Sequence, residues 1–184
     1  MTHLTRRTFA LSAAALPLAA CGNGIGSDGA ATIDARVDSA LAYLFENYPE
    51  TKNLADSASG LLVMPLITEA GLGFGGAFGR GALRVGGTTV DYYSSTSGSA
   101  GLQIGVQQYS HALFFMTPES LAGFRASQGW AAGADLEYVV DNVGELLRAE
   151  TTTTRSPIAA VVFGQTGLRL GATLEGTKYT RIIP

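Results

Sequence analysis

The chain is poor in the residues that most often carry chemistry. It has one cysteine, Cys21, and two histidines, His3 and His111, among 184 residues. A lone cysteine excludes an internal disulfide, and a zinc site needs several histidine, cysteine or carboxylate ligands to converge, which His111 lacks in the sequence around it. Charge is sparse too. Only 15% of residues are Asp, Glu, Lys or Arg, and the formal net charge is −3. A nucleic-acid surface needs a concentrated basic face to neutralise phosphates, so nucleic acid is excluded as a first partner. Proline is scarce at 6 residues while glycine reaches 24. Because that glycine has no every-third-residue period, a collagen-like chain is excluded and turns and tight β packing are the use left for it. What remains is 46% hydrophobic with a mean hydropathy of +0.20, which predicts one folded domain rather than a disordered tail.

The first segment reads as an address. Arg6-Arg7 precede an apolar run from Phe9 to Ala20, interrupted by Ser12 and Pro17 and ending at Cys21. About a dozen apolar residues fall short of the ~20 that a permanent span needs, so residues 1–20 are expected to be a signal peptide. Leu18-Ala19-Ala20-Cys21 resembles a bacterial lipobox, whose cysteine is acylated and becomes the new amino terminus. Two or three acyl chains give durable attachment, since each buried methylene contributes about 0.8 kcal/mol. Thr5-Arg6-Arg7-Thr8-Phe9-Ala10 resembles a twin-arginine export motif, with threonine and alanine at two of its preferred positions. Gly22 after the cysteine is similar to the pattern that passes a lipoprotein to the outer membrane. The expected location is therefore the cell envelope, on the periplasmic face of the outer membrane. Loss of Arg6 and Arg7 leaves 10 basic against 15 acidic residues, a mature charge of −5, so net charge would not draw the body to an anionic bilayer.

Residues 21–32 read as a flexible tether and 33–184 as the domain. Asp34 to Tyr48 is the predicted long helix, with Val37, Leu41, Leu44 and Tyr48 on one stripe, Asp34 as its cap and Pro49 as its stop. Its polar side carries Asp34, Asp38, Glu46 and Glu50 against Arg36, so the apolar stripe is expected to pack on the protein's own sheet. A short helix or turn is expected over Leu54 to Ala58. Leu61 to Ile67 reads as a buried strand with Pro65 at an edge or bulge. Short strands are then predicted at Gly71 to Phe78, Gly81 to Val85, Thr88 to Tyr93, Gly101 to Gln107 and Ala112 to Met116, with Gly86-Gly87 as a tight turn. Pro118 opens a short helix to Arg125. Further strands are predicted at Ala131 to Tyr138, Ile158 to Phe163, Gly167 to Leu174 and Thr177 to Ile182, the last two as a hairpin, with Asp141 to Pro157 as a solvated connection or an exposed β segment. The expected fold is α+β and mainly β: a strongly bent antiparallel sheet or small β-barrel packed against an N-terminal amphipathic helix.

Gly71 to Gly79 has a loose likeness to a dinucleotide fingerprint, but that motif requires strand, turn and helix, and the sequence continues as strand. No Gly-Lys-Ser/Thr follows, and no cofactor is expected. The glycines at Gly73 and Gly75 instead leave one strand face bare beside Phe74, for a packed element or a ligand's acyl chain. Arg80 and Arg84 lie four apart, on one face of a regular strand, and guanidinium groups can fork onto phosphate oxygens. They are the leading candidates for a phospholipid headgroup contact, with Arg36, Lys52 and the C-terminal Arg169, Lys178 and Arg181 secondary. Ser110-His111 are neighbours whose side chains point to opposite faces of a strand, which argues against a nucleophile and base pair. Asp135, Glu137 and Asp141 lack calcium-loop spacing. Neither a catalytic residue nor a metal ligand is expected.

Ser59-Gly60-Leu61-Leu62-Val63-Met64-Pro65, followed by Glu69-Ala70-Gly71-Leu72-Gly73-Phe74-Gly75-Gly76-Ala77-Phe78-Gly79-Arg80-Gly81, resembles the opening blocks of the SYLF domain family. Gly101 to Gln107 with Leu113 to Met116, and Gly167 to Gly176, are similar to its later blocks, from about Val37 to Ile182 in all. The resemblance implies phospholipid binding, in eukaryotic members of phosphoinositides through a basic amphipathic N-terminal segment, and actin binding in some members. Here that segment carries Arg36 among four acids, and Val161-Val162-Phe163-Gly164 departs from the family's polar tyrosine and serine character before its closing hairpin. The expected function is non-catalytic binding of phospholipid headgroups or acyl chains by an envelope lipoprotein held through acylated Cys21. The alternative is a periplasmic scaffold that contacts an envelope protein, with incidental lipid affinity; a serine hydrolase built on Ser110 ranks third.

Overall fold

The computed structural model describes residues 27–132, 136–139, 157–164, 174 and 176–184, with backbone alone for 71–74, 99–105 and 136–139. Three helices and six strands are described: α1 (Gly29–Asn47), α2 (Glu50–Ser57), β1 (Gly60–Val85), β2 (Thr88–Phe115), α3 (Pro118–Ala126), β3 (Trp130–Ala131), β4 (Leu136–Val139), β5 (Ile158–Phe163) and β6 (Lys178–Ile182). They form one strongly curled sheet with α1 laid against it, the expected class.

β2 is the spine. One of its edges pairs with β1 from Val85↔Thr88 to Gly60↔Phe115. Its other edge pairs with β6 near its start, through Tyr92↔Ile182, and with β5 near its end, through Phe115↔Ile158. β3 adds to β6 in the antiparallel sense, and β4 adds to β5 in parallel.

The five short strands expected between Gly71 and Met116, together with Leu61 to Ile67, are two long strands of 26 and 28 residues. The chain bends without reversing. Register shifts fall between Met64 and Ile67, between Leu72 and Gly73, and between Leu83 and Arg84, and such bulges kink and twist a strand while its ladder continues. Pro65 sits in the first of these, as its missing N–H predicts, and Ser110 Oγ donates to the Pro65 carbonyl at 2.7 Å. The one true reversal is at Gly86 and Gly87, with φ of +57° and +80°, the left-handed pair that a two-residue hairpin turn requires.

The curl brings the second half of β1 onto its own first half. A Cβ on Gly81 would collide with the Val63 carbonyl oxygen and meet Met64 Sδ at 2.5 Å; one on Gly79 would collide with Ile67 and meet the Leu66 carbonyl oxygen at 2.6 Å. These glycines are therefore close-approach positions inside the curl. Alternate residues then serve two cores. Leu62, Met64, Leu83, Leu113, Phe115 and Val162 fill the concave side, and Leu61, Val63, Ala82, Ala112, Phe114 and Val161 face the helices. A sheet covered on both faces explains the unbroken apolar runs at Leu61 to Ile67 and in β5. Phe124 of α3 plugs the concave side, its ring 4.8 Å from those of both Tyr93 and Phe115 and 5.5 Å from Trp130.

α1 begins at Gly29, so Gly29 to Thr32 belong to the helix rather than to the expected tether. Ile33, Val37 and Leu44 are buried against the sheet, each stabilising the contact by roughly 1.5–3 kcal/mol. The helix stops at Asn47 before Pro49, as expected, and the second helix starts earlier than Leu54, at Glu50. Ala131 to Tyr138 contains two short strands rather than one. The predicted signal peptide, Cys21, residues 141–156 and the predicted strand at 167–173, including Arg169, lie outside the described residues.

Candidate functional site

The site is built where α1 crosses the bulge of β1. Asp34, predicted to cap the helix, lies within it and turns toward β2, accepting hydrogen bonds from Thr89 Oγ1 and Tyr92 OH, each at 2.8 Å. Burial first, and the Asp34 carboxylate second, push the Tyr92 hydroxyl above its usual range. Arg84 completes the clamp, its Nη2 2.8 Å from Asp38 Oδ1 and 3.6 Å from Asp34 Oδ1, while Nη1 donates to the Gly87 carbonyl at 3.3 Å. One turn of helix places Asp34 and Asp38 on the same side, so a single guanidinium serves both.

This clamp fixes two clefts that share Arg36, Pro65 and Leu66. The first, of about 650 Å³, is lined by Arg36, Arg80, Phe78 and Gly79, with Thr32, Thr68, Ser27 and Asp28 at its wall. Phe78 is 49% exposed there, and the Arg80 guanidinium lies 5.9 Å from its ring centroid. The second, of about 630 Å³, is mainly apolar, running beneath Ala40 and Tyr43 against Pro65, Leu66 and Phe163. Tyr43 stacks on Phe163 with ring centroids 6.3 Å apart. Arg36 stands between the two, exposed and forming no ion pair among the described residues. A third cleft, of about 360 Å³, lies between α1, α2 and the β1–β2 turn and is lined by Leu41, Phe45, Leu61 and Arg84.

The expected arginine patch is thus rearranged. Arg80 is joined by Arg36 rather than by Arg84, which α1 neutralises through Asp34 and Asp38 and which lines the third cleft instead. The strand spacing placed Arg80 and Arg84 on one face, but it could not show that the helix covering that face would bring acids to one and a second arginine to the other. Lys52 pairs with Asp56 on exposed α2 at 3.4 Å and lines none of these three clefts. Gly73 and Phe74 pair with Gly101 and Ala100, and Gly75 with Ser99. What the sequence reading missed was the Pro65–Leu66 bulge as a shared floor and Tyr43 with Phe163 as its wall. Lys178 and Arg181 lie on β6, where Arg181 Nε is 3.5 Å from Asp91, itself bound by Arg125 at 2.9 Å.

Ser110 and His111 diverge as strand neighbours should. Ser110 bonds to the bulge, while His111 is buried on the concave side with Nε2 2.8 Å from Tyr179 OH and Nδ1 without a hydrogen-bond partner among the described residues. Burial pushes the imidazole down to about 3, so it is neutral near pH 7. The two side chains form no nucleophile and base pair.

Residues 96–181 match the family model described as Ysc84, the Las17-binding protein actin regulator. This is the SYLF domain family to which the sequence blocks point, a family of binding domains. The match takes in most of β2, β5 and β6 and supplies Ser110 and Phe163 to the apolar cleft, while Arg36 and Arg80 lie before it. No curated protein matches the chain.

Proposed function

From a chain whose residues 96–181 are of the SYLF family, we propose a non-catalytic phospholipid-binding lipoprotein of the bacterial envelope. Acylated Cys21 holds it at the periplasmic face of the outer membrane, and the domain receives lipid between α1 and the sheet. The observation that carries this reading is Arg36, an exposed guanidinium standing where an apolar cleft meets one lined by Arg80. Phosphate oxygens suit a guanidinium fork, and hydrocarbon suits the Pro65, Leu66 and Phe163 wall. The actin regulation in the family's description is not carried over, because an envelope location removes actin.

Residues 22–184 contain every described element and serve for the test. They should co-sediment with vesicles containing phosphatidylglycerol at low salt and be released as salt screens the arginines. Absence of binding to any bacterial phospholipid, with retrieval of one stoichiometric crosslinked envelope protein, would instead support the scaffold reading.

A further inference from the structure

Resting on that lipid-binding reading, we infer that the two clefts form one site for a single-chain anionic amphiphile, a fatty acid or a lysophospholipid, taken up as a monomer. The chain lies in the apolar cleft under Ala40 and Tyr43, and its oxyanion is held at Arg36 and Arg80.

Size decides between one chain and two. A methylene fills about as much space as a liquid water, about 30 Å³, so one palmitoyl chain needs roughly 500 Å³ and two need roughly 1,000 Å³. The apolar cleft offers about 630 Å³. Among the described residues it is adjoined by the cleft lined by Arg36, Arg80 and Asp28, where a second tail would strip water from charged groups at a cost of several kcal/mol. Charge decides the head. Arg36 forms no ion pair among the described residues and shares its cleft with a second guanidinium, Arg80, with Asp28 at the wall.

The experiment titrates residues 22–184 with palmitate and with palmitoyl lysophosphatidylglycerol, each below its aggregation threshold, and separately with dioleoyl phosphatidylglycerol vesicles. One bound chain per protein is expected. Arg36→Gln should weaken it about tenfold or more, as loss of a charge-assisted hydrogen bond does, and hexadecanol should bind correspondingly less well. Ala40→Trp fills the apolar cleft and should abolish monomer binding; Ala42→Trp, on the exposed side of α1, controls for folding and should leave binding intact. Binding of palmitate alone assigns a carboxylate head, and of the lysolipid alone a phosphate head. Vesicle binding without monomer binding overturns this inference and leaves the phospholipid reading standing. Monomer binding unaffected by Ala40→Trp also overturns it. Failure of the monomers and the vesicles alike removes both readings.

Discussion

Tyr92 of β2 donates its hydroxyl to Asp34 of α1 across 2.8 Å, and the same carboxylate accepts from Thr89. The helix that roofs the candidate site is therefore fastened by polar groups at one turn as well as by Ile33, Val37 and Leu44. Asp34→Ala removes both acceptors and should lower the unfolding free energy by about 2 kcal/mol, the usual scale for hydrogen bonds to a charged group. Urea unfolding followed by Trp130 fluorescence measures it. A change below a few tenths of a kcal/mol would mean that the clamp does not restrain the helix.

His111 makes stability fall on the acid side. Its folded value lies near 3, below the ordinary value of about 6.5, so the unfolded chain takes up the proton first. Its contribution is fully present above pH 6.5 and is lost as pH falls toward 3, at up to about 1.4 kcal/mol per pH unit. His111→Phe should flatten that part of the stability profile, and an unchanged slope would assign it to other groups.

Three glycines should respond differently to one methyl group. Gly81→Ala drives a Cβ into the Val63 carbonyl and should destabilise by about 1–3 kcal/mol through overpacking. Gly86→Ala meets no neighbour but keeps φ at +57°, and should cost about 1–2 kcal/mol of left-handed strain. Gly123→Ala, exposed within α3 with nothing within 4 Å, should stabilise by about 1 kcal/mol. Thermal melts rank the three, and an unperturbed Gly81→Ala would refute the self-contact of β1.

Arginines in the clamp and in the cleft should separate stability from binding. Arg84→Gln leaves Asp34 and Asp38 facing each other and should lower the melting temperature while sparing affinity for phosphatidylglycerol vesicles. Arg36→Gln should do the reverse, and its effect should shrink as salt rises. Loss of binding with Arg84→Gln and none with Arg36→Gln would assign the headgroup site to the third cleft.

Much of this architecture is written in local patterns. The apolar stripe of α1, Pro49 as its stop, the turn at Gly86-Gly87, the bulge at Pro65 and the start of α3 at Pro118 each follow from the chemistry of a few adjacent residues. So does the divergence of Ser110 and His111, because a strand alternates its side chains. Strand length did not follow, since a glycine that ends one strand and a glycine that lets a strand curl onto itself look alike along the chain. Gly79 and Gly81 are the second kind only because Val63 and Leu66 arrive opposite them. The partner of each arginine was equally a matter of tertiary structure: Arg36, Arg80 and Arg84 are alike in sequence, and the path of α1 gives Arg84 two carboxylates while setting Arg36 beside Arg80 at the mouth of an apolar cleft. Local propensity acts through neighbours in the chain, whereas a binding cleft arises where distant segments meet.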